Sequence, residues 1–377
     1  MTPSRWLFFT AAATAAATSI LITEPQWIRG VVVSALLVTL YIRWRPGWRA
    51  VFVCTCIFAG LAFRIHVSPT LEPAPPEIGW VGNVREDFVE KLIAAMPERE
   101  ARLGAGMLLG DVAEPAKDLV QSFRRAGINH LLAVSGGNLA VVLTFISILG
   151  ASRFSKTTNM CVVLVVAPAF CLLTNVEASI LRASVMAGLA VVVQRLGRPA
   201  QAMNVLVAAA LLLVWVWPGL LWESVGFQLS LAATFGLVAF SGPLEEQLAR
   251  HLPSSIATVL AATLGATLAT LPPSLVTFGQ VSIIGPFVNI IVVPLVPLVM
   301  ACVGAVAGMS ILLPFLATYV GSAAWAVLHA IELVVLYASR LPAASVLLPS
   351  SAALGLAGII TFASLRLSRR HVRPLFD

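Results

Sequence analysis

FRRAGINHLLAVSGGNLAVVLTFISILG, residues 123–150, is the stretch on which the reading of this chain turns. It opens with two arginines, passes through a small polar knot (Asn129, His130, Ser135, Gly136, Gly137, Asn138), and runs out into an apolar segment. Polar groups at the mouth of an apolar helix are costly in lipid, which invites a functional reading. Small residues also let helices approach closely in a membrane, and that is the competing structural reading.

Composition fixes the solvent in which that segment sits. Of 377 residues, 59% are hydrophobic and 11% are charged, and mean hydropathy is +0.94. Soluble domains carry roughly 25% charged residues, and a chain of this length has too little interior to hide so much apolar surface. The expected fold is an all-α polytopic membrane protein. It should have about 10–12 transmembrane segments of roughly 20 residues, some of them broken or re-entrant. The five cysteines, Cys54, Cys56, Cys161, Cys171 and Cys302, lie mostly in apolar runs and read as small buried hydrophobes. The net charge of +7 suits cytoplasmic loops and is not by itself a nucleic-acid footprint.

Taken in order, residues 1–63 hold N-terminal transmembrane helices at 6–22, 31–42 and 50–63. Arg43, Arg45 and Arg49 place the turn between the last two in the cytoplasm, so the N-terminus lies inside and residue 64 outside. Residues 64–130 form a short extracytoplasmic region in which acidic residues outnumber basic ones. Its segments 84–96 and 115–126 have the spacing of amphipathic helices. They suit an interfacial helix, one packed on the bundle, or a solvent-facing surface helix.

Residues 131–365 form the main membrane domain, with apolar runs at 131–149, 160–173, 179–193, 203–217, 227–240 and 256–271. The 227–240 run is expected to lead into a loop with Glu245, Glu246 and Arg250, and the 256–271 run to end at Pro272-Pro273. Arg153 with Lys156, Arg195 with Arg198, and Arg250 all fall on the cytoplasmic side under the same orientation. Residues 281–310 contain Gly285, Pro286, Asn289, Pro294 and Pro297. They read as one kinked helix, two helices, or a re-entrant piece followed by a helix. Runs at 312–337 and 345–365 follow, and residues 366–377 form a basic cytoplasmic tail.

Polar residues within these runs are the candidates for function. Glu177 and Arg182 stand five apart. Arg182 lines a watered path, pairs with an acid, or snorkels to the interface. Gln228 starts another run and reads as either an interhelical hydrogen bond or a path residue. Ser282 and Asn289 flank an unwound segment of the kind that exposes carbonyls or helix ends in transporters, or that serves packing alone. His329 and Glu332 can share a helical face and satisfy one another, or move a proton. His130 with Ser135 offers the minimum for a nucleophile pair. However, their spacing is not helical, no orienting acid is evident, and no G-x-S-x-G elbow surrounds the serine. H-E-x-x-H, Walker A and dinucleotide fingerprints do not occur.

The quoted stretch resembles the signature of the ComEC-type competence proteins, membrane channels of bacterial DNA uptake. The residues that carry it are Phe123, Gly127, Ile128, His130, Leu131, Leu132, Ala133, Ser135, Gly136 and Asn138, the last standing where many members have histidine. Arg182, Ala183 and Met186 with Leu196-Gly197-Arg198 resemble the next block. Gly226-Phe227-Gln228-Leu229-Ser230 resembles a third. Leu271-Pro272, Phe278-Gly279, Ser282, Gly285, Asn289 and Pro294 resemble a fourth around a broken helix.

The resemblance implies a channel in the bacterial cytoplasmic membrane that takes up single-stranded DNA in natural transformation, without a cofactor. It implies three partners: an extracytoplasmic DNA receptor, a cytoplasmic helicase-like motor and a separate nuclease. Relatives usually add an OB-like domain before the signature and a metallo-β-lactamase-like domain at the end. Neither is expected in this sequence, which reads as the channel domain alone. In this setting Arg182 becomes the intramembrane contact for phosphates, with Arg124 and Arg125 collecting them at the outer mouth. His130, Ser135, Asn138, Glu177, Gln228, Ser282 and Asn289 join them as path candidates. The competing functions are a secondary transporter of a small solute and a membrane-embedded hydrolase using Ser135 and His130.

Overall fold

Apolar runs in lipid must satisfy every backbone polar group internally, and helices are the simplest way to do so. A computed structural model describes residues 79–110, 116–150, 155–197, 199–221, 223–342 and 344–347. The N-terminal runs with their arginine turn, Arg153, Arg198 and the basic tail lie outside the described residues.

Twelve α-helices are described. The first six are α1 (Gly79–Ala95), α2 (Glu98–Leu109), α3 (Lys117–Arg125), α4 (Gly136–Gly150), α5 (Lys156–Leu173) and α6 (Ala178–Arg195). The others are α7 (Ala202–Val216), α8 (Val225–Leu248), α9 (Ser254–Phe278), α10 (Gly285–Val292), α11 (Val296–Leu312) and α12 (Pro314–Ser339). Five segments among the described residues are long and apolar enough to cross a membrane: α6, α8, most of α9, the joined α10–α11 unit and α12. In the most apolar 18-residue stretch of each, no more than 33% of the residues are buried within the protein. Leu164, Val165, Val192, Leu212, Leu237, Leu298 and Leu333 stay exposed, as a lipid-facing surface requires.

Several boundaries differ from the sequence reading, each for a physical reason. The apolar run from 131 starts as a 3-10 turn, Asn129–Leu131, and becomes α-helical only at Gly136. Helix α9 does not stop at Pro272-Pro273 but continues to Phe278, and α8 runs through Pro243. In a membrane bundle neighbouring helices and local adjustments re-satisfy the backbone groups that proline frees. Glu245 and Glu246 therefore sit on α8 rather than in a loop. Of the three readings of residues 281–310, the kinked helix is the one seen: α10 and α11 joined by a 3-10 turn, Val293–Leu295. Residues 345–347 do not begin a helix. They form strand β2 (Ser345–Leu347), antiparallel to β1 (Gln280–Ser282), with Val281 opposite Val346.

The largest core joins the first three helices to the last two. Leu92 of α1, Leu103 and Met107 of α2, and Leu119 and Phe123 of α3 are buried against Val303 of α11 and Leu328 and Ile331 of α12. Of the alternatives for the two amphipathic segments, packing on the bundle is the one observed, and α2 between them was not foreseen. A second group of apolar contacts knits α4 to α9 together, with Val134, Leu139, Phe170 and Ile180 at one level and Leu206, Ala239 and Phe240 at another.

Candidate functional site

The N-terminal parts of helices α4, α6 and α8 meet around one guanidinium. Ser224 sets the start of α8 by accepting a hydrogen bond from the Phe227 backbone N–H. The Gly136 N–H, at the start of α4, donates to Ser179 Oγ of α6 at 3.2 Å. Ser179 Oγ lies 2.8 Å from Ser230 Oγ of α8. Arg182 completes the group: its Nε donates to Ser230 Oγ at 3.1 Å and its Nη1 to Met186 Sδ at 3.2 Å. A Cβ on Gly136 would stand 3.0 Å from Ala183 Cβ and 3.1 Å from Arg182 Nη2, so only glycine leaves the guanidinium this room.

Arg182 is 5% exposed, and its hydrogen-bond partners among the described residues, Ser230 and Met186, are uncharged. It neither snorkels outward nor, among the ion pairs of the described residues, meets an acid. Arg182 thus lies near the N-terminal parts of three helices, each end carrying a partial positive charge, with the Ser179 and Ser230 hydroxyls between them. Such an arrangement attracts an anion rather than a cation.

The signature knot is tied to the rest of the bundle at both ends. Asn138, 6% exposed, donates from Nδ2 to the Met107 carbonyl of α2 at 2.6 Å and accepts from Ser135 Oγ at 3.0 Å. The Ser135 hydroxyl is thus committed to an amide, and no hydrogen bond joins it to His130 among the described residues, so the hydrolytic pair is not assembled. At the other end, Gly127 has φ +76°, and a Cβ there would collide with Ser282. Ser282 Oγ lies 3.1 Å from both the Arg125 and Ala344 carbonyls, and it accepts from the Gly285 N–H at 3.2 Å. One hydroxyl therefore links the end of α3, the start of α10 and the segment leading into β2. Ser282→Ala should leave the Gly285 N–H and the Arg125 carbonyl short of a partner, while the Ala344 carbonyl keeps the Ile283 N–H. The expected cost is about 1–3 kcal/mol, read as a lower thermal midpoint in detergent; an unchanged midpoint would mean that the junction is held by other contacts.

The remaining candidates are dispersed. Arg124, Arg125 and His130 are exposed, and Arg124 and Arg125 close α3. Glu177 is exposed at the residue preceding α6, following Asn175 and Val176 with φ of 57° and 54°. A β-branched residue at such a φ is strained. Gln228 is half-buried in the first turn of α8. Asn289 is buried in α10, and its Oδ1 has no hydrogen-bond partner among the described residues.

His329 and Glu332 do not satisfy one another, contrary to the simpler expectation; both turn to α2. His329 Nδ1 lies 3.0 Å from Glu100 Oε1, and Glu332 Oε1 accepts from Arg99 Nε at 2.6 Å. Trp325 Nε1 donates to the same Glu100 oxygen at 3.1 Å and its ring stacks on His329. Arg99 also reaches Asp118 at 3.0 Å, and that hydrogen bond holds the Asp118 carboxyl below its ordinary range. Arg99 and Glu100 were missed in the sequence because an acidic first turn behind Pro97 marks any helix start.

The Competence protein family model matches residues 107–372. The chain is also 27% identical, over 236 residues, to ComE operon protein 3 of Bacillus subtilis (strain 168), a match covering 61% of this chain and 29% of that protein. No solved structure matches. The family match takes in the signature from Met107 onward, the helix starts around Arg182 and the Ser282 junction, most of the chain in all, and so this polytopic, membrane-spanning chain belongs to the competence protein family.

Proposed function

We propose that the bundle conducts single-stranded DNA across the bacterial cytoplasmic membrane during natural transformation. The observation that carries this reading is the buried Arg182 guanidinium, held by a hydroxyl and a thioether where the N-terminal parts of three helices meet. A polyanion in transit needs positive, hydrogen-bonding groups that are not already neutralised by an acid. The exposed Arg124 and Arg125 would gather phosphates before entry. The strand is handed over by an extracytoplasmic receptor, pulled by a cytoplasmic helicase-like motor and accompanied by a separate nuclease; both termini of the chain lie in the cytoplasm.

The same helix ends also suit the anionic group of a small solute, the form in which a secondary transporter would use them. Vesicles containing the purified protein and the motor separate the two readings. Labelled single-stranded DNA should enter in a salt-dependent manner, whereas a small-solute carrier passes none.

A further inference from the structure

We infer that Glu100, His329 and Glu332 form a divalent-cation site fastening α2 to α12. One nitrogen or oxygen donor from each residue lies within 4.8 Å of the others. An ion bound at about 2.0–2.2 Å from each donor needs them somewhat closer, a contraction within reach of side-chain rotation. His329 and Glu332 are three apart on α12 and share a face; Glu100 comes from the first turn of α2.

The second observation is Glu332 itself. The residue is 5% exposed, and its Oε2 is buried without a hydrogen-bond partner among the described residues. A carboxylate oxygen held inside protein without a donor is costly, and a cation is the partner that two neighbouring carboxylates call for. Arg99 and Trp325 hold the two carboxylates as the outer layer of a metal site does, and an ion entering would replace the contact, 3.0 Å long, between His329 Nδ1 and Glu100 Oε1. Arg99 takes Glu332 by Oε1, leaving Oε2, and Trp325 takes Glu100 by Oε1.

The charges facing the cluster are Arg99, which pairs with Glu332 at 2.6 Å, and Asp118, which holds the same guanidinium at 3.0 Å, so one positive charge is shared among three carboxylates once Glu100 is counted. The His329 side chain is 42% exposed, so the imidazole closes the outer edge of the cluster. One imidazole nitrogen with two carboxylate oxygens suits Zn²⁺ or Mn²⁺, whereas Mg²⁺ prefers oxygen alone and keeps much of its water.

The test uses the full chain in detergent, stripped with chelator and titrated separately with ZnCl₂, MnCl₂ and, as control, MgCl₂. Bound metal after gel filtration and the thermal midpoint are both read. The expected result is close to one Zn²⁺ or Mn²⁺ per chain, with a raised midpoint and no response to Mg²⁺. Glu332→Gln, Glu100→Gln and His329→Gln should each weaken uptake at least about tenfold. The inference is overturned if the wild-type chain takes up no more Zn²⁺ or Mn²⁺ than Mg²⁺. It is equally overturned if uptake persists undiminished in the folded variants, which would place the metal elsewhere. Because the wild-type titration decides by itself, a variant that misfolds does not protect the claim.

Discussion

Vesicles carrying Arg182→Met are expected to import labelled single-stranded DNA at least about a hundredfold more slowly than wild type while the protein remains folded. Two opposed effects make this a sharp test. In the resting protein the buried guanidinium is a burden, although less than the about 2.5–3.5 kcal/mol of a charge at the centre of a membrane helix, since Arg182 lies near the start of α6. Methionine is unbranched and of similar length, packs well and removes that cost, so the variant should be as thermally stable as wild type or more so. In the proposed conduit the same charge would serve as a phosphate contact, and losing one charge-assisted contact of about 2.7 kcal/mol corresponds to a hundredfold in rate. Arg182→Lys keeps the charge but not the fork that spans Ser230 and Met186, so an intermediate loss is expected. A Met variant that imports DNA at the wild-type rate would reduce Arg182 to a packing residue.

The membrane class was legible because it depends on composition, and the ends of α5, α6 and α7 because polar and basic residues stop the apolar runs there. What the sequence could not supply was long-range geometry. Ser135, Arg182 and Ser230 lie in three separate blocks, and nothing local says that the N-terminal parts of α4, α6 and α8 meet. The Glu100–His329 contact joins residues 229 apart, beyond any periodicity argument. One proline pair was over-read: Pro272-Pro273 would break a helix in water, yet here it is absorbed within α9. The pairing of β1 with β2 was missed because three-residue strands carry no repeating pattern of their own.

A close helix crossing at Gly236 yields the second large effect. Gly236 of α8 faces Gly265 of α9 so closely that a Cβ on Gly236 would overlap the Gly265 carbonyl oxygen and press on Ala269. In a membrane this closeness is itself the source of stability, because packing and polar contacts, not water exclusion, hold helices together. Gly236→Leu is therefore expected to force α8 and α9 apart. The cost is about 4 kcal/mol or more, seen as failure to accumulate in the membrane or a collapsed thermal midpoint. Gly236→Ala should cost less, about 1–3 kcal/mol, as a one-carbon overpacking. A Cβ added to Gly242, on the same helix, would meet nothing within 4 Å, so Gly242→Ala should be neutral or gain up to about 1 kcal/mol from helix propensity. Equal behaviour of the Gly236 and Gly242 alanine variants would show that the crossing is not held by contact at Gly236. If they differ as expected, transport should fall with the Gly236 series too, because α8 carries Ser230, and a displaced α8 withdraws that hydroxyl from Arg182.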